Sequence, residues 1–215
     1  VKIALISEGQ TGAEYPGRDG YDLVVAVNGM ATLFEADWWA CLDAPVFMSH
    51  FASVLGAPRL FTTQNTKIQI EQGHYKARGL QEAWARFSRD AVFTTPVDDQ
   101  PPIPTFPPMP LDVPILSAGP RKGEPRFDQW GGLSALVCCW MASPMDPKNP
   151  ADLDCYGCDY AAPTAVNGLG KPCAPNPERW KTETRIWNGL AEGFERAGDL
   201  RVRYPTTLGG PRKDV

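Results

Sequence analysis

Gln129-Trp130-Gly131-Gly132-Leu133-Ser134 opens, and Asp152-Leu153-Asp154-Cys155-Tyr156-Gly157-Cys158-Asp159-Tyr160 closes, the stretch that decides the fold. The glycine-lipped turn at Gly131-Gly132 leads into Leu133, Leu136, Val137, Trp140 and Met141. Their three-and-four spacing predicts a helix over 132–142 with one buried face. Residues 152–157 then read as a strand, with Asp159 just past its end. In open α/β sheets, ligands lie beyond the carboxyl ends of strands, beside helix N-termini with free N–H groups. A ligand crevice is therefore expected here, with a plain core helix and edge strand as the bland alternative.

The same grammar recurs upstream. Lys2-Ile3-Ala4-Leu5-Ile6-Ser7 is an apolar run of the kind a strand buried on both faces requires. Glu8-Gly9-Gln10-Thr11-Gly12 follows at once, and glycines at a strand's exit let the backbone approach a ligand closely. Gly9 and Gln10 are thus nucleotide-binding candidates, although any tight turn also uses glycine. Residues 21–27 read as a second strand ending at Asn28, which either caps the next helix or reads a base or ribose. Residues 36–42 read as a third strand, ending at Asp43. Successive exits at Gly9, Asn28 and Asp43 are what a doubly wound, mostly parallel sheet with a ligand crevice produces.

Amphipathic spacing predicts helices over 45–55 and 79–89, with a strand at 58–63 between them. His50 lies on the first helix and His74 in the loop before the second, and each is a candidate base. Prolines recurring from Pro96 to Pro125 exclude regular helix and central strand. Ile103, Phe106, Met109 and Leu111 argue against plain disorder, so residues 96–125 are expected to form a lid across the crevice. Arg121 and Lys122 near its end either face an anion or sit in a solvated turn. A loop over 161–177, a helix carrying Trp187, Leu190 and Phe194 inward, and an edge strand at 200–204 follow. Together these elements predict one Rossmann-like α/β domain over 1–205 with a flexible tail at 206–215.

Charged residues make up 21% and hydrophobic ones 43% of the 215 residues, which is ordinary for a globular domain. A net charge of −4 creates no global attraction to nucleic acid or anionic membrane. No apolar run approaches the roughly 20 residues of a membrane span, and no signal-peptide pattern opens the sequence. A cytoplasmic location without a membrane partner is expected. Cys41, Cys138 and Cys139 lie in apolar segments and read as core. Cys155 and Cys158 form a C-x-x-C without a second pair, so zinc and redox chemistry are secondary readings and no metal or cofactor is expected. Asp152-Leu153-Asp154 looks like the metal-holding D-x-D of many sugar transferases. It stands at the beginning of its strand, however, and so reads as a solvated strand entry.

With these residues in place, the chain resembles the bacterial sialyltransferases that use a cytidine-monophosphate sugar, and related phage and bacterial Rossmann-like glycosyltransferases. The resemblance rests on the first glycine turn, on Tyr21-Asp22-Leu23-Val24-Val25-Ala26-Val27-Asn28, on Gly131-Gly132-Leu133-Ser134 and on Gly157-Cys158-Asp159-Tyr160. It implies nucleotide contacts at Gly9, Asn28, Gly132, Ser134, Gly157 and Tyr160. It implies a nucleotide sugar as donor and an acceptor hydroxyl on a glycan or on a hydroxymethylated base of phage DNA, where Arg201, Arg203, Arg212 and Lys213 would meet phosphates.

Two departures shape the expected chemistry. Glu8 and Gln10 replace the Asn and Pro typical of the family's first turn, and no histidine follows His74 to serve as base. A carboxylate is the natural substitute, so Asp159 and Asp43 are the catalytic candidates, without metal. The sheet-and-acid pattern also resembles archaeal-type pterin diphosphokinases, in which ATP and magnesium would make these acids metal ligands. A catalytically silent nucleotide-binding or interaction protein on the same fold is the third reading.

Overall fold

The computed structural model describes residues 1–94, 131–143, 148–159 and 177–211. Strands β1 (Lys2–Ile6), β2 (Leu23–Val27), β3 (Trp38–Ala40), β4 (Arg59–Thr63), β5 (Val92–Thr94), β6 (Ala151–Tyr156) and β7 (Leu200–Arg203) form one sheet. Their order is β5-β4-β3-β2-β1-β6-β7, and every pairing is parallel. The helices are α1 (Ala44–His50), α2 (Gln64–Glu71), α3 (Leu80–Ser88), α4 (Gly131–Ala142) and α5 (Pro177–Ala197). Short 3₁₀ turns follow β1 at Gln10–Glu14 and β2 at Asn28–Thr32. This is the Rossmann-like α/β arrangement that the apolar strand runs predict.

Helices on both sides explain why the central strands are apolar throughout, for neither face of β1 or β2 meets water. Side chains alternate across a strand, so neighbouring Trp38 and Trp39 enter opposite cores. On one side Trp39 stacks on Phe47 at 5.1 Å between ring centroids, and Phe47 meets Trp84 edge-on at 5.4 Å. This side carries α1 and α3. On the other side α4 and α5 pack together, with Trp140 stacked on Phe194 at 5.5 Å. Their polar edges are satisfied too: Trp140 Nε1 donates to Asp199 at 2.9 Å and Trp187 Nε1 to the Tyr204 hydroxyl at 2.7 Å. A buried indole N–H without such a partner would cost about 1–3 kcal/mol.

The chain lays down β1 to β5 in one direction, then returns to the far side of β1 with β6 and β7. Right-handed crossovers explain why the helices change face at that return. The strand order therefore reverses between β1 and β6. The crevice of such a sheet lies at that point, on the carboxyl edge.

Several elements differ from their sequence-based bounds. The 45–55 helix stops at His50, and the third strand shrinks to Trp38–Ala40. Helix α2 went unforeseen because Thr63 ends β4 and caps α2 in the same step, its Oγ1 accepting from Thr66 N at 3.1 Å. No glycine or proline announces it. Strand β5 is only three residues long and abuts the proline-rich segment. The expected flexible tail is partly tied down: Thr207 N–H donates to Glu14 Oε2 at 2.8 Å, and Thr206 Oγ1 to Gly209 O at 3.1 Å. The expected lid at 96–125, Arg121, Lys122, Tyr160, Arg212 and Lys213 lie outside the described residues.

Candidate functional site at the strand exits

The β1 and β6 exits interlock. Ser7 N–H donates to Tyr156 O at 2.8 Å and Gly9 N–H to Gly157 O at 2.9 Å, continuing the ladder past the strands. Gly157 turns away with φ +69°, a conformation that disfavours any side chain. Gly9 has no room for one either: an added Cβ would stand 2.2 Å from Asp159 Oδ1 and 2.3 Å from Gly157 O. The expected reason for Gly9 was close approach to a ligand. The close approach that the structure shows is to the neighbouring strand's exit.

Asp159 completes the interlock. Its Oδ2 accepts from Gln10 N–H at 3.1 Å, and its Oδ1 from Thr11 N–H at 3.4 Å and the Thr11 hydroxyl at 3.0 Å. The Thr11 hydroxyl in turn accepts from Gly157 N–H at 3.1 Å. The carboxylate is buried and faces the first N–H groups of the 3₁₀ turn, where a negative charge is stabilising. With both oxygens engaged and almost no exposure, Asp159 ties the β6 exit to the turn after β1.

The hydrogen bonding continues along the rim. Glu8, half-buried, accepts from Gly29 N–H at 2.8 Å through Oε1 and so ties the β1 exit to the β2 exit. Asn28 begins the second 3₁₀ turn with φ +48°, and its carbonyl accepts from Trp39 Nε1 at 2.9 Å. Among the described residues its side-chain amide makes no hydrogen bond, and it does not cap a following helix. Asp43 occupies the N-cap position of α1, yet its exposed side chain makes no cap hydrogen bond. Burial pushes the Cys41 thiol well above its ordinary pKa, and the charges of Asp43 and Glu8 push it further. Both carboxylates therefore act on one point between the exits. Glu8 and Thr11 are the rim residues that sequence reasoning missed; their place directly after a strand was the available signal.

Other candidates stand elsewhere. Gly131, Gly132 and Ser134 fall in the first turn of α4, which starts toward the carboxyl edge because it must run back to feed β6. His50 closes α1, and His74 follows α2, a helix that leaves the rim and runs about 12 Å away from it. Neither histidine is at the rim. Cys155 and Cys158 are buried free thiols, and burial with the adjacent Cys158 pushes the Cys155 thiol well up. Among the described residues, no group of three or more His, Cys, Asp or Glu side chains is placed to hold a metal ion.

The D-x-D segment is not a solvated entry throughout. Asp154 is buried, with Oδ2 accepting from the Tyr21 hydroxyl at 2.9 Å and pairing with Lys2 Nζ at 3.1 Å. Since Tyr21 has given its one proton to Asp154, the Tyr156 hydroxyl donates to Tyr21 across 2.6 Å. Asp152 pairs with Arg201 Nε at 3.2 Å and with Arg203 at 2.9 Å. These arginines, foreseen as phosphate contacts, thus share a carboxylate on the sheet face.

No described helix is long and apolar enough to cross a membrane. No protein-family model, curated protein or solved structure matches the chain.

Proposed function

We propose that the chain is a nucleotide-sugar-dependent glycosyltransferase acting at the carboxyl rim of its sheet. The observation that carries this reading is the reversal of strand order between β1 and β6, with the Glu8, Asn28 and Asp43 exits beside it. Ligands of open parallel sheets bind at such a point. Asn28 and Glu8 would hold hydroxyls of the donor, and the start of α4 at Gly131-Gly132 would face its phosphate. Asp43, the exposed carboxylate of the rim, is the base. It takes the proton as the acceptor oxygen attacks the anomeric carbon, and the bond to phosphate breaks with its electron pair leaving on the nucleotide. Positioning and stabilisation of that leaving group supply the catalysis, without a metal.

The acceptor class is a glycan hydroxyl or a hydroxymethylated base in DNA. A catalytically silent nucleotide-binding protein is the second reading, favoured by the use of Asp159 and part of Glu8 for holding backbone. An ATP-dependent diphosphokinase would instead use the rim acids on magnesium.

A thermal-shift panel separates the readings. Cytidine or uridine nucleotides should raise Tm without magnesium. ATP acting only with magnesium would favour the kinase. Nucleotide binding without sugar transfer would favour the silent module. In a transfer assay Asp43→Asn should lower turnover by roughly 10²–10⁴-fold with donor affinity nearly unchanged.

A further inference from the structure

The donors that the β1 exit turn would offer a ligand anion are already taken. Gln10 N–H, Thr11 N–H and the Thr11 hydroxyl all end on the Asp159 carboxylate, itself only 6% exposed. The lock has no slack, because a Cβ on Gly157 would stand 2.1 Å from Ser7 O. Around it, residues 7–12, 28–33, 41–46 and 157–159 contain Glu8, Asp43 and Asp159 and no lysine, arginine or histidine. Among the described residues of these exits, a phosphate arriving at this turn meets occupied donors and charge of its own sign.

We propose, resting on the nucleotide-sugar reading above, that Asp159 is a positioning residue that stands in for an anion on the β1 exit turn. The turn takes no ligand phosphate. It presents Glu8 and Asn28 to ligand hydroxyls, and the phosphate of a bound nucleotide lies away from it, toward the start of α4. The negative charge matters as well as the shape, since three donors converge on the carboxylate.

The test follows the Gln10 and Thr11 amide signals by NMR. In the wild type, neither inorganic phosphate nor cytidine monophosphate should shift them. Asp159→Ala should lower Tm by roughly 5–10 °C. Formate, but not chloride at equal ionic strength, should restore most of that loss saturably and return both amide signals toward their wild-type positions. Rescue by a small carboxylate separates a charged anchor from simple space filling. Should Asp159→Ala fail to fold, Thr11→Val removes only the hydroxyl. Hydrogen exchange at Gln10 and Thr11 should then speed up while the β4 amides stay unchanged.

Phosphate or the nucleotide shifting Gln10 and Thr11 in the wild type would overturn the proposal. So would a folded Asp159→Ala that formate does not rescue, or a Thr11→Val protein with unchanged exchange. The glycosyltransferase reading fails separately, when the nucleotide moves no rim amide at all while the formate arm still decides the role of Asp159.

Discussion

At the carboxyl rim, Asp159 and Glu8 accept backbone N–H groups, whereas on one face of β6 Asp152 and Asp154 accept Arg201, Arg203, Lys2 and Tyr21. The consequences differ because the donors differ. A backbone N–H is fixed, so losing its acceptor means moving the chain or leaving the donor unpaired. A lysine or arginine head that loses its carboxylate swings into water on a flexible stem. Asp159 and Glu8 therefore set geometry, and the face carboxylates mainly balance charge. Asp154 stands between the two cases, being buried yet paired with the half-exposed Lys2.

The largest contrast is expected at glycine. Gly157→Ala forces a Cβ onto Ser7 O at φ +69°, so it should cost at least about 3 kcal/mol or prevent folding. Gly56→Ala, at φ +64° but with nothing within 4 Å, should cost only about 1 kcal/mol. Urea unfolding measures both, and equal losses would break the claim that the rim is locked.

Carboxylate variants sharpen the comparison on the face. Asp154→Asn should lose about 1.5–3 kcal/mol, because the buried acceptor of Tyr21 and Lys2 is weakened. Asp152→Asn should lose less than about 1 kcal/mol, since its arginines are more than half exposed. Neither should change nucleotide affinity, and a large loss of binding in either would move the site off the rim.

The smallest effect concerns Tyr15. Among the described residues its buried hydroxyl has no hydrogen-bond partner, and its ring packs against Phe34, Tyr21 and Tyr156. Tyr15→Phe should be neutral or stabilising by up to about 1 kcal/mol. Burial raises the Tyr15 pKa from its ordinary 10 to about 12, so the unfolded chain ionises first as pH rises. The stabilising contribution is complete below pH 10 and is lost between about 10 and 12. Tyr21 is pushed up as well, by burial and by its bonds to Tyr156 and Asp154. Stability measured against pH should therefore fall above pH 10, less steeply in Tyr15→Phe. An unchanged alkaline limb would contradict this.

Much of the fold was legible because strands buried on both faces carry their own signature. Lys2–Ile6 and Leu23–Val27 are short, mostly apolar runs, and most of the helices follow regular spacing. Helix α2 was hidden because one threonine serves as strand end and helix cap. The exits were legible as places but not as roles. Nothing in Glu8-Gly9-Gln10-Thr11-Gly12 alone shows that Asp159, 149 positions after Gln10, closes over it. That contact depends on β6 returning beside β1, a long-range pairing that local spacing does not encode. Likewise, the D-x-D segment acquires its partners only when β7 and Lys2 flank β6.

The most direct test of the account is amide mapping of a pyrimidine nucleotide on the ¹⁵N-labelled protein. The account predicts saturable shifts at Glu8, Asn28 and Asp43, with Asp152, Arg201 and Arg203 unmoved. Shifts centred on Asp152, Arg201 and Arg203 with a silent rim would contradict it.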